Sequence, residues 1–145
     1  MPSWGEVLKE LQALPPTSSP LDTVRRKYLD LLQKKTQRNV IAYYSGWLQQ
    51  PTLRGTEIID DDKNAFMATI HGLDRKLGLD LILHTPGGEV AATESLVDYL
   101  RKMFGTDIRA IIPQIAMSAG TMIACATKEI IMGKHSNLGP IDPQF

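Results

Sequence analysis

Two apolar runs in this 145-residue chain stop at residues able to take part in acyl transfer. One is Leu81–Gly88 (LILHTPGG), which ends on a glycine pair; the other is Ile115–Gly120 (IAMSAG), which carries a serine. Backbone N–H groups at a glycine turn can hold an oxyanion, and a serine hydroxyl can attack a carbonyl carbon. For Ser118, the alternative to a nucleophile is a plain helix N-cap, a position serine favours. If Ser118 opens a helix, the N–H of Ala119 falls in a first turn whose donors have no helical acceptor. Gly87 and Gly88 admit three readings: oxyanion donors, a tight turn needing positive φ, or a phosphate cradle. Neither the dinucleotide fingerprint nor the Walker pattern accompanies them.

A base for the serine is less evident. His84 directly precedes the glycine turn, where it either faces a site or makes a structural hydrogen bond. His135 lies in a tail loop, and His71 sits between apolar positions as partly buried scaffold. Lys134 and Asp142 are tail charges; a desolvated lysine or an aspartate can move a proton, though both types are commonly solvated. Cys125, the single cysteine, lies among alanines and reads as an inert core thiol. Three scattered histidines and one cysteine lack ligand spacing, so neither metal nor cofactor is expected.

These residues must be positioned by a small α/β domain. Ser3 and Glu6 have capping-box spacing before Trp4, Val7, Leu8 and Leu11, which predicts a first helix. Residues 15–19 (PPTSS) form a linker, after which Ser19 caps a second helix that has Pro20 at its first position. Leu21, Val24, Tyr28, Leu31 and Leu32 make its apolar stripe. Val40–Tyr44 predicts a strand, and Pro51–Thr56 a loop. Asp60, Asp61 and Asp62 suit a helix start, with Phe66, Ile70, Leu73 and Leu77 at helical spacing up to Gly78. Strand, helix, strand, helix and strand then follow at Asp80–His84, Val90–Phe104, Ile108–Pro113, Ser118–Thr127 and Glu129–Met132. Nearly continuous apolar strands separated by helices predict a parallel sheet covered on both faces. The tail from Gly133 shows no further strand–helix unit.

Composition narrows the class. Hydrophobic content of 43% and charged content of 22% are ordinary for a globular protein. Sixteen basic and sixteen acidic residues cancel, which removes the electrostatic case for nucleic acid or an anionic membrane. No apolar run approaches the ~20 residues of a membrane span, and the first residues lack signal-peptide order. The expectation is a cytoplasmic, soluble protein.

Three words in order make the chain resemble the Clp-protease/crotonase superfamily, and within it the serine dehydrogenase proteinase family related to signal peptide peptidase A. They are Ile82–Gly88 (ILHTPGG), Pro113–Ala124 (PQIAMSAGTMIA) and 132–144 (MGKHSNLGPIDPQ). The Trp4 region and Arg38–Trp47 (RNVIAYYSGW) also match. The resemblance implies a spiral of βαβ units with a mostly parallel sheet, at 39–145, preceded by a helical extension at 1–38. It implies Ser118 as nucleophile, with Gly88, Ala119 and optionally Gly87 supplying the oxyanion N–H groups. Clp-type relatives carry a histidine base on the segment after the nucleophile; Asn137–Pro143 has Asp142 there instead. Signal-peptide-peptidase relatives use a lysine further downstream. Members are longer, so the resemblance implies an amino-terminal portion of a larger protein. It further implies a homo-oligomer acting on a peptide or protein substrate. Two alternatives remain on the same fold: an inactive assembly scaffold, and a crotonase-like enzyme acting on an acyl thioester.

Overall fold

The computed structural model of the chain describes residues 2–15, 19–50 and 52–141. The chain divides into two compact units, Met1–Gln37 and Arg38–Phe145. In the first, α1 (Trp4–Ala13) begins at the reciprocal Ser3–Glu6 capping box, and α2 (Pro20–Thr36) begins with proline. Their packing is fixed by Glu10, which accepts hydrogen bonds from Lys27 Nζ and the Tyr28 hydroxyl. Ser19 differs from expectation. Its backbone is left-handed (φ 40°) and its hydroxyl makes no cap bond, because that conformation turns the side chain from the first-turn amides. Of the linker, residues 16–18 lie outside the described residues.

The second unit is built on four parallel strands, β1 (Asn39–Tyr44), β2 (Leu79–His84), β3 (Ile108–Ile112) and β5 (Glu129–Met132), in that spatial order. Helices α3 (Asp60–Ile70), α4 (Val90–Phe104) and α5 (Ala119–Cys125) connect them. A second, two-stranded parallel sheet pairs β4 (Ile115–Ala116) with β6 (Asn137–Leu138). The apolar core joins Ile41, Leu79, Leu81, Leu83, Ile108, Ala110 and Ile112 of the sheet to Phe66, Ile70, Leu96, Leu100, Phe104 and Ile123 of the helices.

That core corrects the expectation of a sheet covered on both faces. All three helices pack on one face; the other carries none of them and mixes exposed Ala42 and Tyr44 with buried Asp80 and His84. The strand order explains why. It advances in one direction without reversal, and right-handed crossovers that all step the same way place every helix on the same side. At the far edge, β5 is exposed along its whole length, with Ile130, Ile131 and Met132 at 36%, 36% and 41%.

At the amino ends of the strands, Asp80 is fully buried between two guanidinium groups. Arg38 Nε and Arg109 Nε donate to its Oδ1 at 2.7 and 2.8 Å, and Arg109 Nη2 donates to Oδ2 at 2.7 Å. Arg38 also grips Asp107 and two backbone carbonyls.

Three further expectations are corrected. The helix expected to reach Gly78 ends at Ile70, because Gly72 takes positive φ (86°) and Asp74 caps a separate 3-10 turn, Arg75–Leu77. His71 is therefore an exposed C-cap residue rather than buried scaffold. Cys125 is exposed, since α5 turns positions 119, 120, 123 and 124 inward and leaves its last residue outside. The tail holds the two-residue strand β6, too short to show a period, and among the described residues no helix follows it. Among the described residues, no helix is long and apolar enough to cross a membrane.

Candidate active site

Ser118 stands at the turn from β4 into α5 with φ 48° and ψ −115°. A non-glycine residue rarely holds such a backbone, and the surroundings must over-determine it. Here they do. Met117 N–H donates to the Thr85 carbonyl at 3.0 Å, Gly120 N–H to the Met117 carbonyl at 2.8 Å, and Met122 N–H to the Ser118 carbonyl at 3.1 Å. Gly139 N–H donates to the Ala116 carbonyl at 2.9 Å, and Thr121 Oγ1 reaches the Gly139 carbonyl at 2.9 Å. The tail is thus laced to the serine turn from the other side. The Ser118 hydroxyl itself makes no cap hydrogen bond, and the residue is half-buried.

The glycine turn packs directly on this residue. Gly87 has φ 111°, and a Cβ built on it would lie 2.8 Å from Ser118 Cβ and 3.3 Å from the Ala119 nitrogen. Only glycine fits that conformation and that gap together. The Gly87 N–H is already taken, donating to Thr85 Oγ1 at 3.1 Å inside the fold. Gly88 is different. It forms an isolated parallel bridge with Ile58, in which Ile58 N–H donates to the Gly87 carbonyl (2.8 Å) and Glu89 N–H to the Ile58 carbonyl (2.9 Å). In such a bridge the intervening residue's own N–H and C=O face the opposite way. Among the described residues neither the Gly88 N–H nor the Ala119 N–H donates a hydrogen bond. A hydroxyl and two unspent backbone donors therefore border one turn.

The expected bases fare unevenly. His84 is 1% exposed, with its ring stacked on Tyr44 (centroids 4.8 Å apart) and tilted against Trp47 (4.6 Å). Neither ring nitrogen has a hydrogen-bond partner among the described residues. Burial pushes its pKa below the ordinary histidine value, and the nearby Ile115 carbonyl opposes that push without a bond of acceptable geometry. His135 is exposed, and its Nε2 lies 3.1 Å from the Pro113 carbonyl. Lys134 is an exposed tail residue. Asp142 lies outside the described residues.

Sequence reasoning missed Ile58 and Thr85, the two residues that hold the glycine turn. Thr85 had a signal, since a threonine two residues before a turn amide suits an ST-type bond. Ile58 had none, because its pairing with Gly88 joins segments 30 residues apart. The aromatic cover on His84 was also unseen.

Two uncharacterized proteins of Methanocaldococcus jannaschii are 40% and 39% identical to this chain over 85 residues. Each match takes in 59% of the chain, which aligns with only 29% of either relative's length. Residues 16–145 match the family model described as ClpP-like SDH-type serine proteinase, a span that includes the glycine turn, the Ser118 turn and the tail. The chain belongs to the ClpP-like SDH-type serine proteinase family.

Proposed function

We propose that this chain carries the nucleophile and the oxyanion-binding groups of a serine peptidase. The Ser118 hydroxyl attacks the scissile carbonyl carbon, and the carbonyl oxygen becomes an oxyanion held by the N–H groups of Gly88 and Ala119. The tetrahedral adduct collapses to an acyl-serine ester as the amine leaves with the proton that the serine gave up to its acceptor, and water then hydrolyses the ester to free the acid and the serine hydroxyl. The observation carrying this reading is the strained Ser118 backbone against the Gly87 bend, with a free donor on each side. Losing one such donor costs about 2.7–4 kcal/mol of transition-state stabilisation in known hydrolases.

Gly87 serves as the spacer that lets the two turns meet, since its own N–H is bound to Thr85. The proton acceptor comes from outside the described residues. Asp142 is this chain's candidate, three positions beyond Gly139, which is itself bonded to the Ser118 turn. His84 is not assigned the part, because its nitrogens are buried between two rings. The proposed setting is a cytoplasmic homo-oligomer acting on peptide or protein substrates.

The test is labelling by a fluorophosphonate. The assembled protein takes up the probe at Ser118, and the Ser118→Ala variant does not. An assembled, folded protein that never labels overturns the proposal.

A further inference from the structure

The loop between β1 and α3 starts and ends at the glycine turn. At its start, Ser45 N–H donates to the His84 carbonyl at 2.9 Å, and Ser45 Oγ donates to the Thr56 carbonyl at 2.8 Å. At its end, Ile58 is bridged to Gly88. Between these pins two side-chain contacts hold the loop to the sheet: the Trp47 ring lies on His84, and the Tyr44 hydroxyl donates to Gln49 Oε1 at 2.8 Å. Tyr44 covers the imidazole from β1 and is itself exposed. A buried polar ring without hydrogen bonds is unusual, because each unpaired buried polar group costs roughly 1–3 kcal/mol. Its presence beside the glycine turn needs a reason.

We propose that the Tyr44–His84–Trp47 stack is an acid-released latch: when His84 gains a proton, Trp47 leaves it and the loop that borders Gly88 opens. The groups facing the imidazole are the Tyr44 ring from β1, the Trp47 ring from the loop and the Ile115 carbonyl from β4. Tyr44 is the titratable one, and among the described residues no charged side chain bears on His84.

Two effects compete when the ring becomes cationic. Aromatic faces attract a cation, by about 0.5–2 kcal/mol. Against this, the imidazolium has two N–H donors and a full charge where the neutral ring has one donor and none. Burying an unpaired charge costs far more than a cation–π contact returns. The charge is therefore accommodated by hydration, and hydration requires the Trp47 cover to move. The sign follows from burial. The folded state holds the imidazole neutral, so the closed form loses ground as pH falls below the ordinary histidine value of 6.5.

The latch is read without any reference to hydrolysis, so its failure leaves the proposed chemistry at Ser118 intact. Trp4, the other of the chain's two tryptophans, is replaced by phenylalanine. Trp47 emission is then followed from pH 8 to pH 5. The expected result is a reversible red shift with a midpoint below 6.5, lost in His84→Phe, which keeps an aromatic ring and removes the titration. The imidazole resonance of His84, followed by NMR in the parent protein, should titrate with the same midpoint. A Trp47 signal that stays flat, or one that shifts equally in His84→Phe, overturns the latch. So does a His84 resonance that titrates while Trp47 stays still.

Discussion

Gly87 and Ser118 occupy one gap: a methyl group on the first would sit 2.8 Å from the Cβ of the second. The relationship is specific, because a residue 31 positions earlier sets how closely the serine turn can approach. Gly87→Ala should displace Ser118 while also forcing a side chain into φ 111°. Displacement of about 1 Å can lower a reaction rate about 100-fold, so fluorophosphonate labelling should fall by roughly that factor. Gly55→Ala is the control. It shares the positive φ (71°) but opens onto free space, so it should lower stability and leave the labelling rate alone.

Ser118 is held against its own backbone preference. Replacing it with glycine removes a strain on the order of 1–3 kcal/mol. Ser118→Gly should therefore raise the urea midpoint of the protein while abolishing labelling. A decrease in stability would show that the turn is relaxed in the native state.

Thr85 is fully buried, and its hydroxyl is the acceptor for the Gly87 N–H. Thr85→Val keeps the shape and strands that donor, at an expected cost of about 1–3 kcal/mol. Because the same N–H fixes the turn before Gly88, labelling should slow in step with the loss of stability. Chemical denaturation and labelling rate, measured on one preparation, check both.

Asp80 ties the amino ends of the strands. Its burial raises the carboxyl pKa, but hydrogen bonds from Arg109 and Arg38 outweigh that, leaving it below the ordinary 3.8. A carboxylate whose folded pKa is depressed stabilises the fold above the ordinary value, and that stabilisation is lost as pH falls through the lowered one. Asp80→Ala should cost about 3 kcal/mol at pH 7, the low end for a broken buried pair because Arg109 keeps some solvent contact. The variant's stability should also decline less steeply than the parent's below pH 4. This window lies under that of His84, so the two titrations separate.

The parts of the fold with a strong pattern were readable from sequence. In β3 burial alternates residue by residue, in α4 it recurs every three or four, and β2 is a nearly continuous apolar run buried along almost its whole length. The two-residue strands β4 and β6 carry no period, and only their pairing defines them. The end of α3 hid for another reason: Leu73 and Leu77 continue the helical spacing past Gly72, whose positive φ stops the helix. Helix placement on a single face depends on strand order, which local pattern does not encode. At the site, small residues marked the Gly87–Gly88 and Ser118 turns, because close backbone approach demands them. The Ile58 bridge and the Trp47 cover arise from contacts between distant segments that leave no local trace.

The outermost strand has a practical side. Ile130, Ile131 and Met132 combine greasy side chains with a row of amides that no neighbouring strand among the described residues engages on the outer side. Such a selvedge templates cross-chain β pairing. Concentrated preparations of the isolated polypeptide will therefore lose material by precipitation at protein levels where its balanced surface charge offers no electrostatic repulsion to prevent it.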